Sequence, residues 1–382
     1  MVTVFWSSLA ILAFTYGGYP VLMAMLARVR LLPIRRGRQT PRVDVLLVVH
    51  NGASHLEAKL SNLLALDYPS DRLRILVVCD GCTDGTEAIA RRHSSERVEV
   101  LAFGTRRGKS RCIDDALAHL LGDVVAFTDV RQLLDPQAIR ALVSPLADPH
   151  VGAVSGELML ASRNGYGAAI GAYWRYEKMV RRLESASGSI VGVTGALYAI
   201  RREALESVPA GLILDDMWIP LAIADAGYRV VFEPNAIAHD LASADHVAEE
   251  IRKRRTLCGN YQLLHQWPRL AIPGGHPLAW RLWGHKWLRL LAPWLLLLAL
   301  ASNVALVNKH GFYAVTLLLQ LAVYGLALLG RRYPTAVTGW MPARLATAFV
   351  SLHLSALLAL GDYLRNRQAH LWSASGIKEA RP

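Results

Sequence analysis

The chain has 382 residues, 53% of them hydrophobic, which is high for a purely water-soluble protein, so part of it is expected to meet lipid. Its formal net charge is +12, but residues 1–42 hold six Arg and no acid, and residues 269–382 hold twelve basic residues against two acidic ones. That leaves 24 basic and 28 acidic residues in 43–268, which excludes a basic nucleic-acid groove and places the positive charge beside apolar runs.

In chain order, residues 2–27 form an uncharged run long enough to span a bilayer. Arg28, Arg30, Arg35, Arg36 and Arg38 come after it instead of preceding it, which argues for an anchor over a cleaved leader and places the next segment of the chain in the cytoplasm. From 43 to 155, β-branched runs (43–49, 73–78, 98–101, 124–128, 151–155) alternate with helical patterns (55–66, 84–93, 110–121, 135–147). This predicts an α/β fold with an open, mainly parallel sheet, and ligands at the carboxyl ends of its strands. Past residue 160 the pattern loosens into a helix around 173–184, a Gly-rich turn (Gly188, Gly192, Gly195), a helix from about Asp215 and strands near 229–239.

Apolar runs at 288–307, 311–330 and 344–361 predict three more spans. Three crossings from the cytoplasm would leave Arg365 and Arg367 outside, against the charge rule, so one run is expected to be re-entrant or interfacial. The organisation is therefore a transmembrane helix (1–28), a basic linker (29–41), an α/β domain (42–240), interfacial helices (241–286), a membrane bundle (287–364) and a tail (365–382). Four cysteines on the cytoplasmic side imply thiols and no disulfide framework.

Several segments put chemistry at strand ends. Val77 to Thr86 sets Asp80 at a strand end; Asp84 and the glycines also fit a plain N-capped turn. Cys79 and Cys82 form a C-x-x-C with no second pair to complete a zinc site. Gly104 to Ser110 resembles a phosphate loop but has three residues between its glycines where a Walker A loop has four, leaving Lys109 either as a phosphate contact or as part of a solvated turn. Asp129 ends an apolar strand as a Mg²⁺ or Mn²⁺ ligand would, and Asp215 with Asp216 pairs two acids at a helix start, suited to capping or to general-base work. Arg252 to Arg255 reads as a pyrophosphate clamp or as a membrane-surface patch, with Lys253 and Arg254 on the surface side.

Together and in order, these segments resemble glycosyltransferase family 2, the membrane synthases with a GT-A fold, over residues 42–262. The pattern is an Asn-containing turn, V-V-x-D-G-S-T-D-G-T, a G-K pair, a D-x-D-like acid motif, a D-D pair and Q-x-x-R-W. The resemblance implies a GT-A-type, Rossmann-like sheet and an inverting transfer from a nucleotide sugar, with UDP as the expected nucleotide, to a lipid-linked or polysaccharide acceptor. It implies that His50, Asn51 and Asp80 contact the uridine and ribose, that Lys109 lies near the nucleotide, that Asp129 binds the metal and that Asp216, beside Asp215, is the base. Thr194, Gly195 and Ala196 would form the acceptor turn, with Arg252 and Arg255 in the first and fourth places of Q-x-x-R-W.

Two departures stand out. Arg131 replaces the second metal acid and cannot bind a cation, which puts Mg²⁺ or Mn²⁺ use in question: either Arg131 itself neutralises diphosphate charge, or Asp129 holds the ion alone with water and substrate filling its shell. Thr256 replaces the Trp on which an acceptor sugar would stack, favouring transfer of one or a few sugars over long polymerisation. A catalytically inactive nucleotide-sugar-binding protein and a processive synthase that exports its product are the competing readings. The expected location is the bacterial inner membrane, with the catalytic domain in the cytoplasm.

Overall fold

The computed structural model describes residues 1–161, 167–241, 246–333 and 340–365. In chain order its main elements are helix α1 (Val2–Val29), strand β1 (Val43–Val49), α2 (Ala53–Leu64), β2 (Leu73–Asp80), α3 (Thr86–Arg92), β3 (Val98–Phe103) and α4 (Lys109–Ala116). Next come β4 (Val124–Thr128), β5 (Leu133–Leu134), α5 (Ala138–Val143), β6 (Val151–Ala161), α6 (Gly167–Ala186), β7 (Leu197–Arg201), α7 (Asp215–Asp225) and β8 (Arg229–Leu241). The chain continues through α8 (His246–Gln266), α9 (Ala279–Leu306), α10 (Gly311–Arg332) and α11 (Met341–Arg365). The tail beyond Arg365, with Arg367, lies outside the described residues.

One eight-stranded sheet runs β3-β2-β1-β4-β7-β6-β8-β5. Strands β1 to β4 are parallel, as their apolar runs predict, because only a strand buried on both faces can be apolar at consecutive positions. Alternate residues build two cores: Leu46, Leu76, Val78, Val125 and Phe127 on one face, and Val45, Leu47, Ile75, Val77 and Ala126 on the other. Strand β7, absent from the expectation, inserts antiparallel between β4 and β6, so the sheet is mixed beyond β4. Its five residues come after a Gly-rich turn and are too short to announce themselves as a strand against that background.

Among the described residues four helices are long and apolar enough to cross a membrane: α1, α9, α10 and α11. The apolar helix α9 starts at Ala279, within the segment expected to be interfacial, because a wide π turn at Trp283–Trp287 carries the helix through its polar residues. Gly284 in that turn admits the ring of Tyr19, since a Cβ there would lie 2.1 Å from it. Helices α9 and α10 are antiparallel, with Gln320 Nε2 donating to the Leu296 carbonyl at 3.1 Å. Phe312 and Tyr313 at the start of α10 pack on Phe5 at the start of α1.

Helix α11 behaves differently. Thr347 meets Gly330 at the end of α10, and His353 Nε2 pairs with Tyr16 Oη at 2.7 Å. The helix then runs along α8: Tyr261 donates to the Ala356 carbonyl, Cys258 to that of Ala359, and Arg254 forks onto Asp362 at 2.7 and 2.9 Å. Arg254 is therefore a helix-to-helix clamp. A fork of donors matches a carboxylate and rewards pairing over free solvation.

Candidate active site

The site lies where β1, β2 and β4 end and α7 begins. At the end of β1, Asn51 adopts a left-handed backbone (φ 50°), which Asn tolerates better than most residues. Its Oδ1 accepts from the Thr83 amide at 2.8 Å, and His50 Nδ1 lies 2.6 Å from the Asp80 carbonyl. Asp80 is buried, and its two oxygens accept from the Arg107 and Gly108 amides at 2.6 and 2.9 Å. Gly81 (φ 57°) makes this approach possible, because a Cβ there would sit 2.3 Å from the Arg106 nitrogen. Asp80 thus ties the end of β2 to the 104–108 loop. Asp84 holds the amides of Thr86 and Ala53 at 2.9 and 3.1 Å, in keeping with the turn-and-cap reading.

Lys109 opens α4 and turns its ammonium inward, 2.9 Å from Asp129 Oδ1 and 3.3 Å from Asp215 Oδ2. Burial works against its charge, but Asp129 and Asp215 together hold Lys109 above the ordinary lysine range. One cation thus joins the acid at the end of β4 to the acid pair at the start of α7. Burial and the neighbouring Asp215 raise Asp216 to about 6, with Lys109 opposing. The Gly195 turn sits directly on it, since a Cβ at Gly195 would lie 3.2 Å from Asp216 Oδ2. The Val193 amide donates to the Asp216 carbonyl at 3.1 Å, which fixes that turn to α7.

Arg255, half-buried on α8, faces the same acids: burial lowers its pKa while Asp215, Asp216 and Asp129 oppose that. Arg252, one turn earlier, is also half-buried. Thr256 is exposed and returns its hydroxyl to the Arg252 carbonyl at 3.1 Å. Arg131 is brought to a different partner: its guanidinium lies 2.6 Å from Asp240 Oδ2, at the end of β8, and Gln132 donates to the same oxygen at 2.9 Å.

Two residues at the site were not anticipated. Tyr198 on β7 is fully buried, stacked on Phe127 at 4.5 Å, with a hydroxyl that has no hydrogen-bond partner. Burial and the three nearby aspartates push that hydroxyl well above its ordinary range. Lys59 on α2 is buried beneath β4, donating to Thr128 Oγ1 at 2.8 Å and to the Gln132 carbonyl at 2.6 Å, and burial lowers it to about 7. An i+3/i+4 apolar stripe (Leu56, Leu60, Leu63) around Lys59 was the available sign that it points inward.

Among the described residues no cluster of three or more His, Cys, Asp or Glu forms a ready-made cation cage. The donor set still fits an ion that takes most of its ligands from substrate and water: Asp129 is a partly exposed carboxylate at a strand end, and Asp215 Oδ2 is a buried oxygen held only by the ion pair with Lys109 at 3.3 Å. Cys79 and Cys82 are free, and the contact with Cys79 lowers the Cys82 thiol to about 7.

The family model "Glycosyltransferase like family 2" matches residues 41–259, more than half of the chain. The chain belongs to that family. The transferase is 29% identical over 233 residues to the glycosyltransferase AglE of Haloferax volcanii, a match covering 58% of this chain and 73% of that one. It is 24% identical over 257 residues to the beta-monoglucosyldiacylglycerol synthase of Synechocystis, covering 63% of this chain and 52% of the relative. Among solved structures, the mannosyltransferase PcManGT of Pyrobaculum calidifontis, in complex with GDP-Man and Mn²⁺, superposes with a TM-score of 0.72 at 25% identity. That likeness covers 94% of this chain and 99% of the other, so it takes in the apolar helices as well as the GT-A sheet.

Proposed function

We propose that the transferase moves a sugar from a nucleoside diphosphate sugar to a hydroxyl of a lipid-linked or glycan acceptor at the membrane, with inversion at the anomeric carbon. The observation that carries this reading is the acid pair at the start of α7: Asp216, raised to about 6, faces the Gly195 turn while Lys109 joins Asp215 to Asp129. A carboxylate with that basicity accepts a proton from a sugar or lipid hydroxyl better than an ordinary aspartate does at neutral pH. As Asp216 takes the proton, the acceptor oxygen attacks the anomeric carbon and the nucleoside diphosphate leaves. Lys109 and Arg255 face the charge that develops on that leaving group.

Asp129 is the residue proposed to hold Mg²⁺ or Mn²⁺. A divalent ion there would neutralise the diphosphate as it departs. Arg131 is assigned no part in this, because its guanidinium is committed to Asp240. His50, Asn51 and Asp80 are proposed for the nucleoside. UDP is kept as the donor nucleotide on the motif resemblance, with GDP as the competitor because PcManGT was captured with GDP-Man.

The catalytic domain is proposed to lie in the cytoplasm, with α1, α9 and α10 crossing the bilayer and α11 lying across its inner face. Contacts of α11 with the end of α10, with Tyr16 and with α8 support this arrangement, which also returns the basic C-terminal region to the inner side. Purified protein in detergent, offered UDP-glucose and GDP-mannose with and without chelator, tests the donor and the ion together. Release of neither nucleotide, under any acceptor tried, would sink the transfer reading in favour of a nucleotide-sugar-binding protein.

A further inference from the structure

Two side chains of helix α2 reach the segment that carries Asp129. Lys59 is fully buried and donates to Thr128 Oγ1 at 2.8 Å and to the Gln132 carbonyl at 2.6 Å. Asn62, one turn later, pairs both ways with Leu134: its Nδ2 donates to the Leu134 carbonyl at 2.9 Å and its Oδ1 accepts from the Leu134 amide at 2.8 Å. Asp129 therefore sits between points fixed on either side, Thr128 before it and Gln132 and Leu134 after it.

Both hydrogen-bond partners of Lys59 are neutral. Burying an amino group costs free energy that an apolar side chain of the same length would not, so packing alone gives no reason for a lysine here. The direction of its hydrogen bonds does. Lys59 Nζ is the donor to Thr128 Oγ1, so the Thr128 hydroxyl keeps its own proton for the Ala196 carbonyl, 2.9 Å away. The β4–β7 ladder ends where Thr128 pairs with Leu197, and this bond carries the connection one residue further, into the turn of Thr194, Gly195 and Ala196. Gly195 in that turn abuts Asp216, since a Cβ there would lie 3.2 Å from Asp216 Oδ2. The path from Lys59 through Thr128 to Ala196 thus joins α2, the strand end before Asp129 and the turn against Asp216.

We propose that Lys59 is a positioning residue: by orienting the Thr128 hydroxyl onto Ala196 it sets the separation between Asp129 and the Gly195 turn, and so between the proposed ion and the proposed base. The proposal rests on the transfer reading of the site. Lys59 and Thr128 are both buried and act through the backbone they hold, not on substrate.

Two substitutions at Thr128 separate this role from packing. Thr128→Val keeps the branched shape and loses the hydroxyl, whereas Thr128→Ser keeps the hydroxyl and loses the methyl. In the full chain in detergent, nucleotide release from UDP-glucose and GDP-mannose gives kcat and KM, and electron paramagnetic resonance gives the Mn²⁺ affinity with UDP or GDP present. Thr128→Val is expected to lower kcat at least about tenfold with donor KM within about threefold, since a misplacement of about 1 Å can cost about 10²-fold. It should also weaken Mn²⁺ binding at least about threefold. Thr128→Ser should keep both kcat and Mn²⁺ affinity within about twofold. Lys59→Met should match Thr128→Val, and the double variant should lose no more than either alone, because groups that act as one unit are not additive.

A Ser variant that loses as much as the Val variant makes the position one of packing and overturns the proposal. So does a Val variant with wild-type kcat and Mn²⁺ affinity, or a double variant whose losses multiply. Should Lys59→Met fail to fold, the Thr128 pair decides. A wild type that releases neither nucleotide refutes the transfer reading, and the Mn²⁺ measurements then decide the positioning role. A wild type that binds no Mn²⁺ refutes the ion at Asp129, and kcat decides. A wild type that does neither overturns the site reading and this proposal with it.

Discussion

The half of the sheet from β1 to β4 and the half from β6 to β8 solve different problems. In the first, parallel strands end together and each end carries a group proposed for the donor: Asn51, Asp80 and Asp129. Backbone amides fix those groups, as the Arg107 and Gly108 bonds to Asp80 illustrate. In the second, the sheet is mixed, and the segment leading into the turn proposed for the acceptor is held by residues from distant parts of the chain: Arg281 on α9 donates to the Glu184, Ser187 and Ser189 carbonyls, and Ser155 Oγ accepts from the Thr194 amide. The first half is thus a local construction repeated by topology, while the second needs β6, α6 and α9 to have packed.

The sharpest way to break this comparison is at the residue joining the halves. Asp216→Asn should lower kcat by about 10³-fold or more with nucleotide affinity within a few-fold of wild type, measured by turnover and by nucleotide titration. It should also stabilise the fold. Asp216 titrates near 6, above its ordinary value, so the folded protein keeps a proton that the unfolded chain has released, and that stability is lost as pH rises through about 6. Above that pH the Asn variant recovers it, and a thermal midpoint at pH 8 no higher than wild type would contradict the assignment.

Lys109→Met comes next, because it leaves Asp129 and Asp215 facing each other without their cation. A fall of about 10²-fold in kcat/KM is expected, with both donor affinity and turnover affected. An effect on KM alone would confine Lys109 to the donor half.

The pH profile gives a smaller but cleaner signal. Activity should rise with pH through an apparent pKa of about 6, and Asp215→Asn should move that limb to lower pH, because Asp215 is a cause of the upward shift in Asp216. A limb that stays in place would separate the two acids.

At the bottom of the range lie the supports. Arg254→Gln, which unclasps α11 from α8, should cost about 1 kcal/mol of stability, read as a lower thermal midpoint, with nucleotide binding unchanged. Asp84→Ala should cost a similar amount through its turn, but on the donor side. A large effect of Arg254→Gln on nucleotide binding would show that the two halves are not separable.

The donor half was legible because its signals are short-range. An apolar strand that ends in Asp and a turn that opens a helix lie within ten residues of each other, as at 77–86. The second half was legible only in part: the Gly195 turn and the acid pair were visible, but Tyr198 was not. Nothing near Tyr198 in sequence says that its hydroxyl lies near acids at the end of β4 and the start of α7. Arg131 shows the same limit in reverse. Its position in the motif aimed it at the diphosphate, and only the pairing of β5 with β8, which brings Asp240 alongside, gave it another partner.

By itself, the sequence determined the α/β class, the apolar helices at both ends and the order of the chemical groups along the chain, because periodicity and strand-end placement are local properties. Tertiary structure decided which of those groups share a site, which helix lies against α8 and which partner Arg131 takes. Those outcomes depend on distances between residues that are remote in sequence, and no local pattern encodes such distances.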